Sequence, residues 1–450
     1  MTSTTASVKP SERLVKRVAL ASGIGSMLEF YDFYLYGALS ATIFGALFFH
    51  SEDPAVGTLL ALATFGVGFV ARPIGGIVGG HFGDKFGRKS VLIATLSLMG
   101  ISTVGIGLLP TYESIGVAAP ILLVALRILQ GLAHGGEWGG ASIMTIEHAP
   151  VGRRGFYGSW PQMGIYAGLV LASVVLGAFM LLPEDQFLSW GWRIPFILGA
   201  VLMLVGLWLR RAISESPEFA AALAAAREKE AEEGKARIPL VEAFRTGRRG
   251  IFVSFAAKAA ETCTFYLITV FALTLAKGGA GESTARTGIL IAAAIAIVTI
   301  GGFGLLADRI GTRTVYMAGA AFMILFAFPF FWLAGANSQW TLWLALIIGL
   351  AVSHSLMYAA QASYFSALFD TSVRFTGASL GYQLGAAIVG GFTPLIAAWL
   401  LLRSDGETWP IAVYIAGVCL LSTLVMAIWG KVTTPAATPV ITDSPKETQR

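Results

Sequence analysis

An all-α polytopic membrane protein, with twelve transmembrane helices in two related six-helix halves, is the fold class this sequence predicts. Three observations carry that reading. Of 450 residues, 56% are hydrophobic and 13% charged, with a mean hydropathy of +0.73, a balance outside the range of soluble domains. The apolar residues gather into runs of about 20 or more, long enough to cross a ~30 Å hydrocarbon core as helices. Finally, a ten-residue polar turn at 80–89, carrying Gly80, Asp84, Gly87 and Arg88, returns in the second half at 304–313 as Gly304, Asp308, Arg309, Gly311 and Arg313. One such loop is chance; the same loop in the middle of each half is a repeat.

Taken in order, the spans are expected at about 18–48, 55–81, 89–109, 118–146, 154–182 and 190–213, then 248–277, 284–308, 313–334, 339–369, 373–402 and 408–430. This gives a tail at 1–17, a bundle at 18–213, a linker at 214–247, a second bundle at 248–430 and a tail at 431–450. Several spans exceed 25 residues, which implies tilt or protrusion. The linker is rich in Glu, Lys, Arg and Ala, and 220–235 reads as a solvated helix with i,i+4 charge pairs. The final tail, rich in Thr, Pro, Ala and Ser, reads as disordered. The first residues carry no apolar core or cleavage pattern of a removable signal, so the first span itself targets the membrane.

Charge fixes the orientation. Of the 31 Lys and Arg, four fall in outside segments (Arg193, Lys277, Arg286, Arg403) and three in spans (Arg72, Arg127, Lys258). The other 24 lie in inside segments and tails, which places both termini in the cytoplasm. Basic residues scattered through short loops exclude nucleic acid as a partner. Cys263 and Cys419 lie within apolar spans, so no disulfide is expected. Many of the 53 glycines stand in the spans, where small residues let helices approach closely.

Ionisable residues inside spans are costly and mark function by default. In the first span Glu29, Asp32 and Tyr36 recur at i, i+3 and i+7, one stripe of a helix. In the fourth, Arg127, Gly131, His134 and Trp138 share a face, with Glu137 roughly 80° away. Counting about 1.5 Å per residue puts Asp32 and Arg127 at similar depth, within reach of an ion pair. In the seventh, Lys258 and Glu261 can pair on their own helix. Gln162 in the fifth span, His354, Tyr358 and Gln361 in the tenth, and Gln383 in the eleventh supply hydroxyl, imidazole and amide groups. They suit a hydroxylated acid, and equally serve as helix-packing groups.

The repeated loop, G-x-x-x-D-(R/K)-x-G-(R/K)-(R/K), resembles the signature of the major facilitator superfamily; the second copy departs from it at Thr312. Arg127, Gln130 and Gly131, with Gly135 through Gly140 around Glu137, are similar to the fourth helix of its metabolite:proton symporter family. Glu29 through Phe33 in the first helix, Glu147 with Pro150 and Arg153 after the fourth, and Glu215 to Pro217 after the sixth match the same family. The stretch from Gln186 to Phe196 and Gly391 to Pro394 look most like shikimate permeases. This resemblance covers nearly the whole chain. It implies two pseudo-symmetric bundles with inverted 3+3 repeats, and proton-driven import of a small organic acid or zwitterion. It also implies a cytoplasmic latch formed by Gly80, Asp84, Arg88, Glu147, Arg153, Glu215, Asp308, Arg309 and Arg313.

Other chemistries lack their residues. His134, Glu137 and His148 are not spaced as metal ligands, and no nucleotide-binding or nucleophile pattern follows a predicted strand. Neither enzyme activity, metal nor cofactor is expected; the partners are substrate, protons and the lipid bilayer, and one chain suffices for one pathway. Asp32, Glu29 or Glu137 would exchange a proton against pairing with Arg127. Arg127, Lys258 and Glu261, with Tyr36, His134, Trp138, Gln162, Tyr358, Gln361 and Gln383, would hold substrate. A symporter of betaine or proline is the nearer alternative, and a membrane sensor a distant one. Two clustered carboxylates together with Arg127 and Lys258 suit an anion better than the lipophilic cation of a drug exporter.

Overall fold

A computed structural model describes residues 12–50, 53–233, 238–276 and 280–432. Most of both expected tails, Lys277 and residues 234–237 of the linker lie outside the described residues. Among the described residues twelve long helices follow one another: α1 (Glu12–Thr42), α2 (Pro54–Phe86), α3 (Arg88–Leu108), α4 (Ala118–His148), α5 (Trp160–Phe179) and α6 (Arg193–Arg211) in the first half. The second half holds α7 (Arg248–Ala276), α8 (Glu282–Ile310), α9 (Thr312–Ala334), α10 (Gln339–Ser366), α11 (Arg374–Arg403) and α12 (Trp409–Trp429). Eleven of these are long and apolar enough to cross a membrane. The remaining one is α1, whose polar residues Glu29, Asp32, Ser22 and Ser26 are all buried against its neighbours.

Two expectations need correction. The stretch 80–89 is not a polar turn: α2 continues to Phe86, α3 begins at Arg88, and the whole break is Gly87 at φ 115°. The second copy is the same, with α8 and α9 separated by Gly311 at φ 96°. A backbone at positive φ is readily adopted only by glycine, so one residue turns the chain and the charged side chains around it are carried on rigid helices. The linker is also more than a solvated helix. It holds helices Pro217–Glu233 and Pro239–Thr246, and Phe219 of the first is buried.

Within the first half α2 packs along α4, α1 along α5, and α3 between α4 and α6; within the second, α7 lies against α11 and α12, and α9 against α10 and α12. The halves meet where α2 packs on α11 and α5 on α8. Glycine sets how close α2 and α4 come. A methyl on Gly75 would overlap the Leu132 carbonyl, and one on Gly135 the Arg72 carbonyl. Such contact supplies the dispersion that holds helices together where lipid offers no hydrophobic force.

Three helices of the second half widen into a π-helical turn at mid-length: Leu267–Phe271 in α7, Ile348–His354 in α10 and Ala386–Gly390 in α11. Such turns re-aim side chains and gather at functional sites. Here each adjoins a residue facing the space between the halves: Tyr266, His354 and Ala386.

Gly75→Val should lower stability by about 1–3 kcal/mol, the usual cost of overpacking, read as thermal unfolding in detergent. Gly177→Ala, where a Cβ meets nothing within 4 Å, should leave the transition unchanged.

Candidate functional site

Between the halves, at mid-depth, lies a cavity of about 50 Å³ walled by Phe30, Phe33, Arg72, His134, Ile165, Lys258, Glu261, Thr262, Phe265, Tyr266, His354, Tyr358, Tyr382, Gln383 and Ala386. Its second-half wall is a neutralised cluster. Lys258 Nζ stands 2.5 Å from Glu261 Oε2, and Glu261 Oε1 is 2.8 Å from His354 Nε2. The Thr262 hydroxyl donates to Glu261 at 2.9 Å, and the His354 Nδ1 meets the hydroxyl of Tyr166, from the other half, at 2.8 Å. Lys258 also lies 3.9 Å from the Tyr382 ring centre. An ion pair this buried is tolerated only because hydrogen bonds satisfy its remaining groups.

Behind the first-half wall is a smaller chamber of about 10 Å³, lined by Glu29, Asp32, Phe33, Gly68, Arg72, Met99, Arg127, Gln130, Gly131 and His134. The stripe of α1 meets the face of α4 here. Asp32 Oδ2 is 3.7 Å from Arg127 Nη1, and the Glu29 carboxyl lies against His134 Nδ1. Arg127 donates to Gln130 at 2.7 Å and Gln130 to Thr103 at 3.0 Å, while the Tyr36 ring centre lies 3.9 Å from the Arg127 guanidinium carbon. Phe33, Arg72 and His134 line both spaces and so form the partition between them.

The expected site residues therefore separate. His134, Lys258, Glu261, Tyr358 and Gln383 face the central cavity, Gln383 also donating to the Gly135 carbonyl at 3.1 Å. Arg127 faces only the smaller chamber and Tyr36 lies behind it. Trp138, Gln162 and Gln361 are not in the cavity walls. Trp138 stacks on Tyr382 with ring centres 3.7 Å apart and donates to Gln162 at 3.4 Å; Gln361 donates to the Tyr316 hydroxyl at 3.4 Å. Glu137 stands apart from both spaces. It is held by Arg210 of α6, which donates to it at 2.9 Å, and by the Thr95 hydroxyl at 2.9 Å.

Toward the end that carries the basic loops, charge joins the halves. Asp84 accepts from the backbone N–H and the hydroxyl of Thr376, both at 2.8 Å, at the start of α11. Its counterpart Asp308 accepts from the N–H groups of Gly155 and Phe156, at 2.6 and 2.9 Å, just ahead of α5. Each repeated aspartate thus caps a helix start in the opposite half, where a carboxylate meets unpaired N–H groups and the positive end of the helix dipole. Gly80 lets α2 approach Thr376 closely. Arg88, fully buried, contacts Glu147 and donates to the Thr371 carbonyl at 3.0 Å, and Arg374 donates to Glu147 at 2.7 Å. Glu218 of the linker accepts from Arg374 at 3.3 Å and pairs with Arg154.

Within the expected latch, Arg153 is exposed and Arg154 makes the ion pair; Arg309 is exposed; Glu215 accepts from the Lys89 N–H at 3.1 Å, capping α3. Arg313 donates to the Met426 and Ala427 carbonyls at 2.9 and 2.8 Å, bracing the end of α12 within its own half.

Sequence reading passed over Arg72, Arg210, Glu218, Arg374 and Thr376. Arg72 carried a signal, being an arginine inside an apolar span. Arg210 sits among basic residues at a span end, where orientation charge hides a buried partner. Arg210→Met should cost about 3–5 kcal/mol by stranding Glu137, read as thermal unfolding. Adding Glu137→Gln should recover most of the loss; an equal loss in both variants would show that the pair is not what holds α4 to α6.

The Major Facilitator Superfamily model matches residues 22–389. The shikimate transporter of Escherichia coli (strain K12) is 40% identical over 94% of this chain and 98% of its own length. A glycine betaine/proline/ectoine/pipecolic acid transporter, OusA of Dickeya dadantii (strain 3937), is 35% identical over 95% and 86%. Among solved structures, the proton:xylose symporter XylE with bound 6-bromo-6-deoxy-D-glucose superimposes with a TM-score of 0.76 at 18% identity, over 94% of this chain and 97% of that one. A match over most of the length, on a twelve-helix frame with the repeated aspartate caps in place, makes the chain a multi-pass membrane protein that belongs to the Major Facilitator Superfamily of transporters.

Proposed function

We propose that the chain imports a small organic acid together with protons, by alternating access between its two halves, with shikimate or a related hydroxylated carboxylate as cargo. The observation that carries this reading is the two-chamber core. A cavity with cationic, imidazole and phenol groups adjoins, through one shared wall, a chamber holding two buried carboxylates. The relative that transports shikimate supports the cargo.

The residues assign themselves by position. Asp32 alternates between pairing with Arg127 and holding a proton, and Glu29 does the same against His134. In the low dielectric of the core, an unpaired ion costs several kcal/mol, so a proton taken by Asp32 releases Arg127 to attract an anion. A substrate carboxylate competes with Glu261 for Lys258 in the same core. Binding of proton and acid is then cooperative, and by linkage each favours the other equally.

The basic end, with its 24 Lys and Arg against four outside, is the cytoplasmic end. In this conformation it is the closed one, held by the aspartate caps and by Arg88, Glu147 and Arg374. At about 50 Å³ the cavity is contracted, far below the ~300 Å³ of a typical ligand pocket, so loading requires the opposite end to part.

A zwitterionic osmolyte is the second reading. Phe30, Phe33, Phe265, Tyr266, Tyr358 and Tyr382 surround the cavity, and aromatic faces attract quaternary ammonium groups; the osmolyte transporter among the relatives agrees with it.

Proteoliposomes given an inward proton gradient should accumulate shikimate, and a protonophore should collapse the accumulation. Asp32→Asn should abolish accumulation while retaining exchange of internal for external substrate. Uptake of betaine but not shikimate would transfer the mechanism to the second reading, and normal accumulation by Asp32→Asn would remove that residue from proton coupling.

A further inference from the structure

Cations near the central cavity fall into two kinds. Lys258 is neutralised by Glu261, Arg127 by Asp32, and Arg210 by Glu137. Arg72 is different. It stands at mid-length in α2, and its guanidinium carbon lies 4.2 Å from the Phe69 ring centre and 4.8 Å from that of Phe33. Among the described residues it makes no ion pair and no hydrogen bond, although it lines both the cavity and the smaller chamber. Ring faces hold a guanidinium electrostatically without occupying its N–H donors. The result is a positioned cation whose donor set remains unused.

A charge this deep in a spanning helix without a direct ion pair is retained where a ligand completes it. The missing partner must be anionic, and a planar carboxylate matches the fork of guanidinium donors through two parallel hydrogen bonds. The other side of the same residue faces the space holding Glu29 and Asp32. Charge bound on one side is therefore felt on the other across a single side chain.

Resting on the reading of the chain as a proton-coupled carboxylate importer, we propose that Arg72 binds the substrate carboxylate and transmits its charge through the shared wall to Glu29 and Asp32. Before substrate arrives, Arg72 offsets the negative charge of those carboxylates. Once a substrate carboxylate occupies its donors, that offset is withdrawn and a proton on Glu29 or Asp32 becomes favoured. The charged groups around the pair are Arg127, His134, Arg72 itself and the Glu137–Arg210 pair beyond Glu29, with Lys258, Glu261, His354, Tyr266 and Tyr382 across the cavity.

The test compares shikimate with its methyl ester, which keeps the ring and hydroxyls but lacks the charge. Binding to purified full-length protein is measured by calorimetry and transport in proteoliposomes, for wild type, Arg72→Gln and Arg72→Lys. Arg72→Gln should weaken shikimate binding about 10- to 100-fold, the range expected for losing charge-assisted hydrogen bonds, and leave the ester unchanged. Arg72→Lys should recover part of the affinity for the acid. Equal weakening of acid and ester would mean that Arg72 shapes the cavity without reading charge, and unchanged acid binding would remove it from the site; either overturns the proposal. If Arg72→Gln does not fold, Arg72→Lys alone decides, since a point charge without the planar fork should still favour acid over ester, but by less than wild type. Wild-type protein that carries no carboxylate at all would instead overturn the functional reading beneath it.

Discussion

A charge in hydrocarbon must find its partner inside the protein, and that constraint arranges this molecule. Beyond the helix backbones, which satisfy themselves, the ionisable residues described in the core, Arg72 apart, sort into four clusters. Asp32 with Arg127 and Glu29 with His134 fill the smaller chamber; Lys258, Glu261 and His354 form the opposite wall; Glu137 and Arg210 tie α4 to α6; Arg88, Glu147 and Arg374 close the basic end. The second group and His134 of the first line the cavity between the halves, and the last holds the halves together. In the proposed alternating access, movement between conformations is thus a matter of exchanging partners, because none of these groups can be left bare.

The repeat joins the two halves at the basic end. Gly87 and Gly311 reduce each loop to one residue, so Asp84 and Asp308 ride on helix ends and each reaches the start of a helix in the opposite half. Separating the halves at this end breaks both caps together, parts Arg374 from Glu147 and takes Arg88 from the Thr371 carbonyl. Glu218 adds the linker to the same network by bridging Arg154 and Arg374. The linker is consequently part of the closed end as well as a tether between bundles.

Much of this was legible in the sequence, for a physical reason. Membrane spans announce themselves by length and apolarity, and a charge within one stands out because it is expensive. The i, i+3, i+7 stripe of Glu29, Asp32 and Tyr36, the matching depth of Arg127, and the i, i+3 pair Lys258 and Glu261 all follow from helical geometry alone. What stayed hidden depends on the other half of the chain. Thr376 gives no signal until α11 is laid against α2; Arg374 and Arg210 resemble orientation charge until a buried glutamate is found beside them. Trp138, Gln162 and Gln361 share helix faces with cavity residues, yet lie at the wrong depth to line it. Pattern gives the face of a helix, but tertiary packing gives the level at which that face meets open space.

The central claim is that acid and proton move together through this core. The most direct measurement is the pH of a lightly buffered medium around proteoliposomes as shikimate is added with no imposed gradient. Coupled import predicts that the medium turns alkaline in proportion to the shikimate taken up, and that a protonophore erases the signal. Shikimate uptake at full rate with no movement of protons would contradict the account, whatever the affinity of the cavity for its substrate.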